Sequence, residues 1–174
     1  MKIEFKELTL KNFLSFGNVE TTFKFENGKI INIKGQNLDV DPGKQNGSSN
    51  GSGKTSAIQG LTYALYGNGV IGDIKQDEFI KMTNGKDLRV VLTMDVDGKK
   101  AVIKRTRKPN SVTFEVDGVD LTRDSVANTS ALIEEYVGVS YDTFVMTFLM
   151  TTSVHPLLKR KPSEQRNFME DFLG

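Results

Sequence analysis

The stretch Asn50-Gly51-Ser52-Gly53-Lys54-Thr55-Ser56 decides how this chain is read. Glycines, a lysine and a hydroxyl residue in this order, opening a helix, make a phosphate-binding loop. The glycines let backbone N–H groups turn toward an oxyanion, and the helix N-terminus adds partial positive charge. Lys54 is placed to neutralise the outer phosphates of ATP, and the Thr55 hydroxyl to ligate Mg²⁺. The form G-x-x-x-x-G-K-[ST] asks for one more glycine, at the position that Ser48 fills. Gly35 supplies it: Gly35-Gln36-Asn37 joined to Gly51-Ser52-Gly53-Lys54-Thr55 completes the pattern. Residues 38–50, rich in Asp, Asn, Ser and Gly, then read as a polar insertion at the rim of the loop. The expected nucleotide site is therefore Gly35 with Asn50, Gly51, Ser52, Gly53, Lys54, Thr55 and Ser56, and Thr55 is the expected metal ligand.

Moving outward, Ile30-Ile31-Asn32-Ile33 is more continuously apolar than its neighbours and predicts a strand buried on both faces. Phe23 and Phe25 alternate ahead of Asn27-Gly28, a two-residue hairpin signal that would pair them with that strand. Ile3, Phe5, Leu8 and Leu10 alternate among Lys and Glu as a first strand. After the loop, a helix fits Thr55 to Tyr66, with Ala57, Ile58, Leu61, Ala64 and Leu65 on its apolar face and Gly67 as its stop. The period returns to two over Leu88–Val96, Lys100–Arg107 and Val112–Val116, with Asp97-Gly98 and Asp117-Gly118 as tight turns. This is an antiparallel meander. A further helix covers Asn128 to Val137, while Tyr141 to Met150 is ambiguous between helix and strand. A last helix opens at Lys161-Pro162-Ser163-Glu164 and runs into Phe168, Met169, Phe172 and Leu173, a pattern still open at the chain end. The segment is expected to continue beyond it.

Composition narrows the function classes. The chain has 174 residues, 37% hydrophobic and 26% charged, as a folded domain requires. A net charge of +1 exerts no bulk pull on nucleic acid, so any such surface is a local patch. With no Cys and one His (His155), thiolate chemistry, Cys-ligated zinc and multi-histidine metal sites are excluded. His155, beside Pro156, reads as a turn residue. No apolar run reaches the roughly 18–20 residues of a membrane span, and the start lacks a signal-peptide core. A cytoplasmic protein is expected.

Hydrolysis needs a second acidic site after an apolar strand, and neither Asp77-Glu78 nor Glu134-Glu135 qualifies. Asn84-Gly85-Lys86-Asp87 has the wrong order for the base reader of a GTPase. The catalytic base and second metal ligand must come from another segment or chain, so no catalytic residue is assigned to this one. Three readings stay open here: one lobe of a split ATPase, a stand-alone P-loop kinase or small-molecule ATPase, and a nucleotide-binding regulatory fragment.

The order of motifs is more specific. Leu8-Thr9-Leu10-Lys11-Asn12-Phe13-Leu14-Ser15-Phe16, the loop Asn50 to Thr55, Ala64-Leu65-Tyr66-Gly67, and Leu158 to Gly174 together resemble the SbcC-type, SMC-like DNA-repair ATPases. The likeness is to the T-even-like bacteriophage form of the recombination endonuclease. It implies an α/β P-loop fold, half of an ABC-type ATPase head with a mixed sheet and an antiparallel meander. Residues 1–160 would be the N-terminal lobe and 161–174 the start of a coiled-coil helix. The partners implied are a C-terminal ATPase lobe, a second copy in a homodimer, an SbcD-type nuclease subunit and DNA, within a bacterial or phage-infected cell. ATP hydrolysis would require the completed head. The family carries a Gln near the end of this lobe where Leu149 to Ser153 has none, and an Arg after the Asn-Phe pair where this chain has Leu14.

Two basic clusters invite opposite readings. Lys99, Lys100, Lys104, Arg105, Arg107 and Lys108 lie on one hairpin, either as a solvated edge strand or as a track for DNA phosphates. Lys159, Arg160, Lys161 and Arg166 form the second, at the mouth of the last helix, either as a solvated helix start or as a DNA or partner contact.

Overall fold

A computed structural model of the chain describes residues 2–26, 30–35, 53–70, 74–149 and 161–173. Alternation of apolar and polar residues produces β1 (Ile3–Lys11), which turns back through residues 12–20 to pair with β2 (Thr21–Lys24). Its other edge takes β3 (Leu88–Val96), antiparallel, with Leu8 opposite Leu92 and Leu10 opposite Val90. β3, β4 (Lys99–Arg107), β5 (Ser111–Val116) and β6 (Val119–Asp120) continue as the expected meander. Both Asp-Gly turns hold positive φ at their two central residues, at Asp97 52° and Gly98 84°, and at Asp117 50° and Gly118 80°. That geometry matches the twist of the flanking strands. The sheet runs β2-β1-β3-β4-β5-β6.

One face of this sheet is the core. Leu8, Leu10, Val90, Leu92, Met94, Ala101, Ile103, Val112 and Phe114 are buried on it. Burying each large side chain is worth about 1.5–3 kcal/mol. Helix α1 (Lys54–Tyr66) lies across β1, β3 and β4, and α2 (Val126–Val137) packs on β5 and against α1. Gly60 permits the close approach of α1, because a Cβ there would stand 2.6 Å from Leu10 Cδ2. The buried face of α1 carries Ala57, Gln59, Gly60, Thr62, Tyr63, Ala64 and Leu65, whereas Ile58, expected inside, is exposed. Residues Tyr141–Thr147 settle as helix α3, capped by the Ser140 hydroxyl, and Pro162–Leu173 form α4. Ser125 caps α2 in the same way, so that helix begins two residues before Asn128.

The predicted strand at Ile30–Ile33 is not formed. Residues 30–35 are irregular, and both Ile30 and Ile31 are exposed. β2 pairs with β1 rather than with this segment, which has no strand beside it among the described residues. An apolar run without a ladder partner or a covering helix cannot become a buried strand. The described sheet is consequently antiparallel throughout rather than mixed. The Asn27-Gly28 turn and the 38–50 insertion lie outside the described residues.

Candidate functional site

The loop that follows β1 is held by one buried side chain. Asn12 is 2% exposed and adopts a left-handed φ of 51°. Its Nδ2 protons are shared among Asn18 Oδ1, the Lys86 carbonyl and the Asp87 carbonyl at 3.2–3.3 Å, and its Oδ1 accepts from Asn84. Its backbone N–H donates to the Gly17 carbonyl at 2.8 Å, and its carbonyl accepts from Lys81 N at 2.9 Å. The neighbouring Phe13 ring stacks on Phe79, with centroids 5.7 Å apart, and Tyr63 of α1 closes the group at 5.3 Å and 4.9 Å. The result is a rigid bracket around the start of α1. It brings Ser15 Oγ to 2.6 Å from Ser56 Oγ and sets Phe16 3.5 Å from where a Cβ on Gly53 would be. Lys81 Nζ donates to the Ser15 carbonyl at 2.8 Å, which adds a cation to this corner.

Gly53 caps α1 with φ +86°, a backbone that L side chains rarely adopt. Gly53 offers no side chain to cap this end and no acid stands in the first turn; the first helical bond is Ala57 N–H to the Gly53 carbonyl at 3.1 Å. The helix N-terminus carries partial positive charge, which favours an anion there. Lys54 is half-buried, Thr55 exposed and Ser56 buried beneath it. Gly35 ends the described stretch 30–35 and is half-buried, while Asn50, Gly51 and Ser52 lie outside the described residues. The structure therefore brings Gly53, Lys54, Thr55 and Ser56 together with Ser15, Phe16 and Lys81. Only the first four were expected. Leu8 to Phe16 carried a family likeness in the sequence, but nothing local marked Ser15 or Lys81 as neighbours of the loop, because a pairing across 41 or 66 positions exists only after folding.

The basic hairpin is not the edge its sequence suggested, and its cations divide between the core and the surface. β4 lies between β3 and β5, so it is an interior strand and not an edge. Arg105 points into the core and is 3% exposed, out of reach of any DNA phosphate. Its Nε donates to the Ala64 carbonyl at 2.7 Å and its Nη2 to the Leu65 carbonyl at 2.9 Å, while its Nη1 donates to Ser130 Oγ at 2.8 Å. It caps the C-terminal end of α1 and ties it to α2. Burial pulls its pKa down to about 10. Arg107 and Lys108 both pair with Asp77, through 2.7 Å and 3.1 Å contacts, and hold that carboxyl below its usual range, Arg107 first. Lys99, Lys100 and Lys104 remain exposed. Of the second cluster, Lys161 and Arg166 are exposed, and Lys159, Arg160, His155 and the Thr151–Ser153 stretch lie outside the described residues. Asn84 and Asp87 serve the Asn12 bracket, and Glu134 sits on α2 where its carboxylate accepts from Tyr141 N at 3.2 Å. Among the described residues, no group of three His, Cys, Asp or Glu is placed to hold a metal, and no helix is long and apolar enough to cross a membrane.

A glycine-capped helix on an antiparallel sheet, bracketed by an Asn-Phe loop, has the α/β fold of a P-loop lobe. The chain belongs to the family described as AAA domain (AAA_23), whose model matches residues 7–171. It is 32% identical over 152 residues to exonuclease subunit 2 of Escherichia phage RB69, covering 83% of this chain and 26% of that protein. To exonuclease subunit 2 of Enterobacteria phage T4 it is 33% identical over 126 residues, covering 71% and 22%. To the SbcC component of the nuclease SbcCD of Deinococcus radiodurans it is 29% identical over 135 residues, covering 71% and 15%. The chain spans about a quarter of the length of the phage relatives. In fold it is similar to an SMC ATPase solved in a study of ATP-driven dimerization, with TM-score 0.59, 19% identity, and 97% and 99% of the two chains covered. The Smc head domain of Pyrococcus furiosus follows at TM-score 0.54 and 18% identity, with 99% of this chain and 42% of that chain covered. The likeness to SbcC-type, SMC-like ATPases expected from the sequence is borne out.

Proposed function

We propose that this chain is the ATP-binding N-terminal lobe of a DNA double-strand-break repair or recombination ATPase that works with a nuclease subunit. The observation that carries the reading is the N-terminus of α1, capped by Gly53 at φ +86° with no side chain of its own and no acid in its first turn. That end suits a polyphosphate, with no acid in the first turn to repel it. Gly53 and its flanking loop residues Asn50, Gly51 and Ser52, with Gly35, would cradle the phosphates by backbone N–H groups. Lys54 neutralises their charge, the Thr55 hydroxyl would hold Mg²⁺, and Ser56, bonded to Ser15, keeps the first turn in place. Mg²⁺, when bound, withdraws charge from the phosphate oxygens.

Residues 1–160 then form the lobe, and 161–174 begin a coiled-coil helix. The relatives' names, exonuclease subunit 2 and the SbcC component of nuclease SbcCD, support a nuclease partner. The acids that follow described strands, Asp97 and Asp117, serve the Asp-Gly turns and accept from Lys2 N and Lys100 N, so the reading adds a C-terminal lobe and a second copy to complete the site, with DNA as the substrate of the assembly. Assembled with its C-terminal lobe and an SbcD-type nuclease, the protein should process DNA ends in an ATP-dependent way that Lys54→Ala abolishes. Cutting at an equal rate without ATP, or with Lys54→Ala, would overturn the reading.

A further inference from the structure

The far end of α1 is also cationic. Arg105 is buried there, and its three hydrogen bonds go to two carbonyls and a hydroxyl, all neutral acceptors. Those bonds use three of its five N–H groups. No carboxylate among the described residues forms an ion pair with it. The partial negative charge at a helix C-terminus, roughly half an elementary charge, offsets only part of the guanidinium. On the rim, Arg107 and Lys108 share the single carboxylate of Asp77. Three cations thus face one acid. Beside them opens a cavity of about 230 Å³, lined by Arg105, Arg107, Tyr63, Tyr66, Gln76 and Asn110 among others. It has room for several waters at about 30 Å³ each, and its walls are polar enough to keep them or an ion in their place.

We propose that this cavity is an anion site that takes a small oxyanion, phosphate or carboxylate, between the inner guanidinium of Arg105 and the rim guanidinium of Arg107. The ligand would compensate a buried charge that no described carboxylate pairs with, and would brace the C-terminal end of α1 against β4 and α2. The α1 N-terminus is at the opposite end of a helix of 13 residues, about 20 Å away at 1.5 Å per residue, so the two sites are separate. The proposal does not depend on the nucleotide reading.

The test uses the 174-residue chain carrying Lys54→Ala, so that phosphate at the α1 N-terminus does not report. Inorganic phosphate is titrated at constant ionic strength against chloride, while the side-chain Nε–H resonances of Arg105 and Arg107 are followed by NMR. The site predicts saturable shifts of both resonances, weakened about tenfold or more by Arg107→Gln, which removes one charge-assisted contact from a partly exposed position. A parallel titration with acetate separates the two ligand classes: saturation by either anion supports the site. Shifts no larger than those with chloride, or an affinity unchanged by Arg107→Gln, would overturn it.

Discussion

Gly53 and Arg105 hold the two ends of the same helix, and each does so by means that a neighbouring residue type cannot copy. At Gly53 the requirement is conformational. Gly53→Ala places a Cβ on a backbone at φ +86°, which costs about 1–2 kcal/mol in the left-handed region. In a domain of this size that lowers the melting midpoint by about 2–4 °C per kcal/mol, and the distorted loop should bind nucleotide more weakly. An unchanged melt would show that the glycine geometry is not required. At Arg105 the requirement is chemical. Arg105→Met keeps an aliphatic stem but strips the donors from the Ala64 and Leu65 carbonyls and from Ser130. A buried group left unsatisfied costs about 1–3 kcal/mol, so urea unfolding should show a loss of about 3 kcal/mol. Lys104→Glu, one position along the same strand but exposed, should change stability by less than about 0.5 kcal/mol. Equal effects of the two substitutions would contradict the inward placement of Arg105.

At the scale of elements, local signals were legible wherever one residue's own conformation decides the outcome. The Asp-Gly turns, the Gly67 stop of α1 and the Pro162 start of α4 all follow from backbone preferences that act over two or three residues. Ser125 belongs to the same kind. Its hydroxyl accepts from Asn128 N at 3.1 Å, and Ser125→Ala should lower stability by about 1 kcal/mol, as read from chemical denaturation. No measurable change would mean that water replaces the cap at no cost. Signals that depend on a distant partner were not legible. Ile30–Ile33 is as apolar as a core strand, yet a strand exists only where another lies beside it, and β1 is already flanked by β2 and β3. The charge run on β4 misled for a related reason. Alternation placed Lys100 and Lys104 on one face and Arg105 on the other, and only the carbonyls at the end of α1 explain why an arginine sits in the core. The same holds for the site, where the glycine-lysine loop was plain in the sequence but Ser15 and Lys81 arrive by way of the Asn12 bracket.

For the whole molecule, the described six-stranded antiparallel sheet carries α1 and α2 on its buried face, and in the proposed reading the α1 N-terminus accepts phosphate while the acid for hydrolysis comes from another segment. Binding and turnover should therefore separate. The 174-residue chain is expected to hydrolyse ATP negligibly, and steady-state turnover at ordinary enzyme rates, lost with Lys54→Ala, would show that the catalytic base lies within it. The central claim is that the α1 N-terminus is a nucleotide site. Calorimetric titration of MgATP into the wild-type chain and into Lys54→Ala tests it most directly. The account predicts saturable binding by the wild type, weakened at least about tenfold, or about 1.4 kcal/mol, by Lys54→Ala, with the same melting midpoint for both proteins. No saturable heat from the folded wild type, or equal affinity in the two, would contradict it.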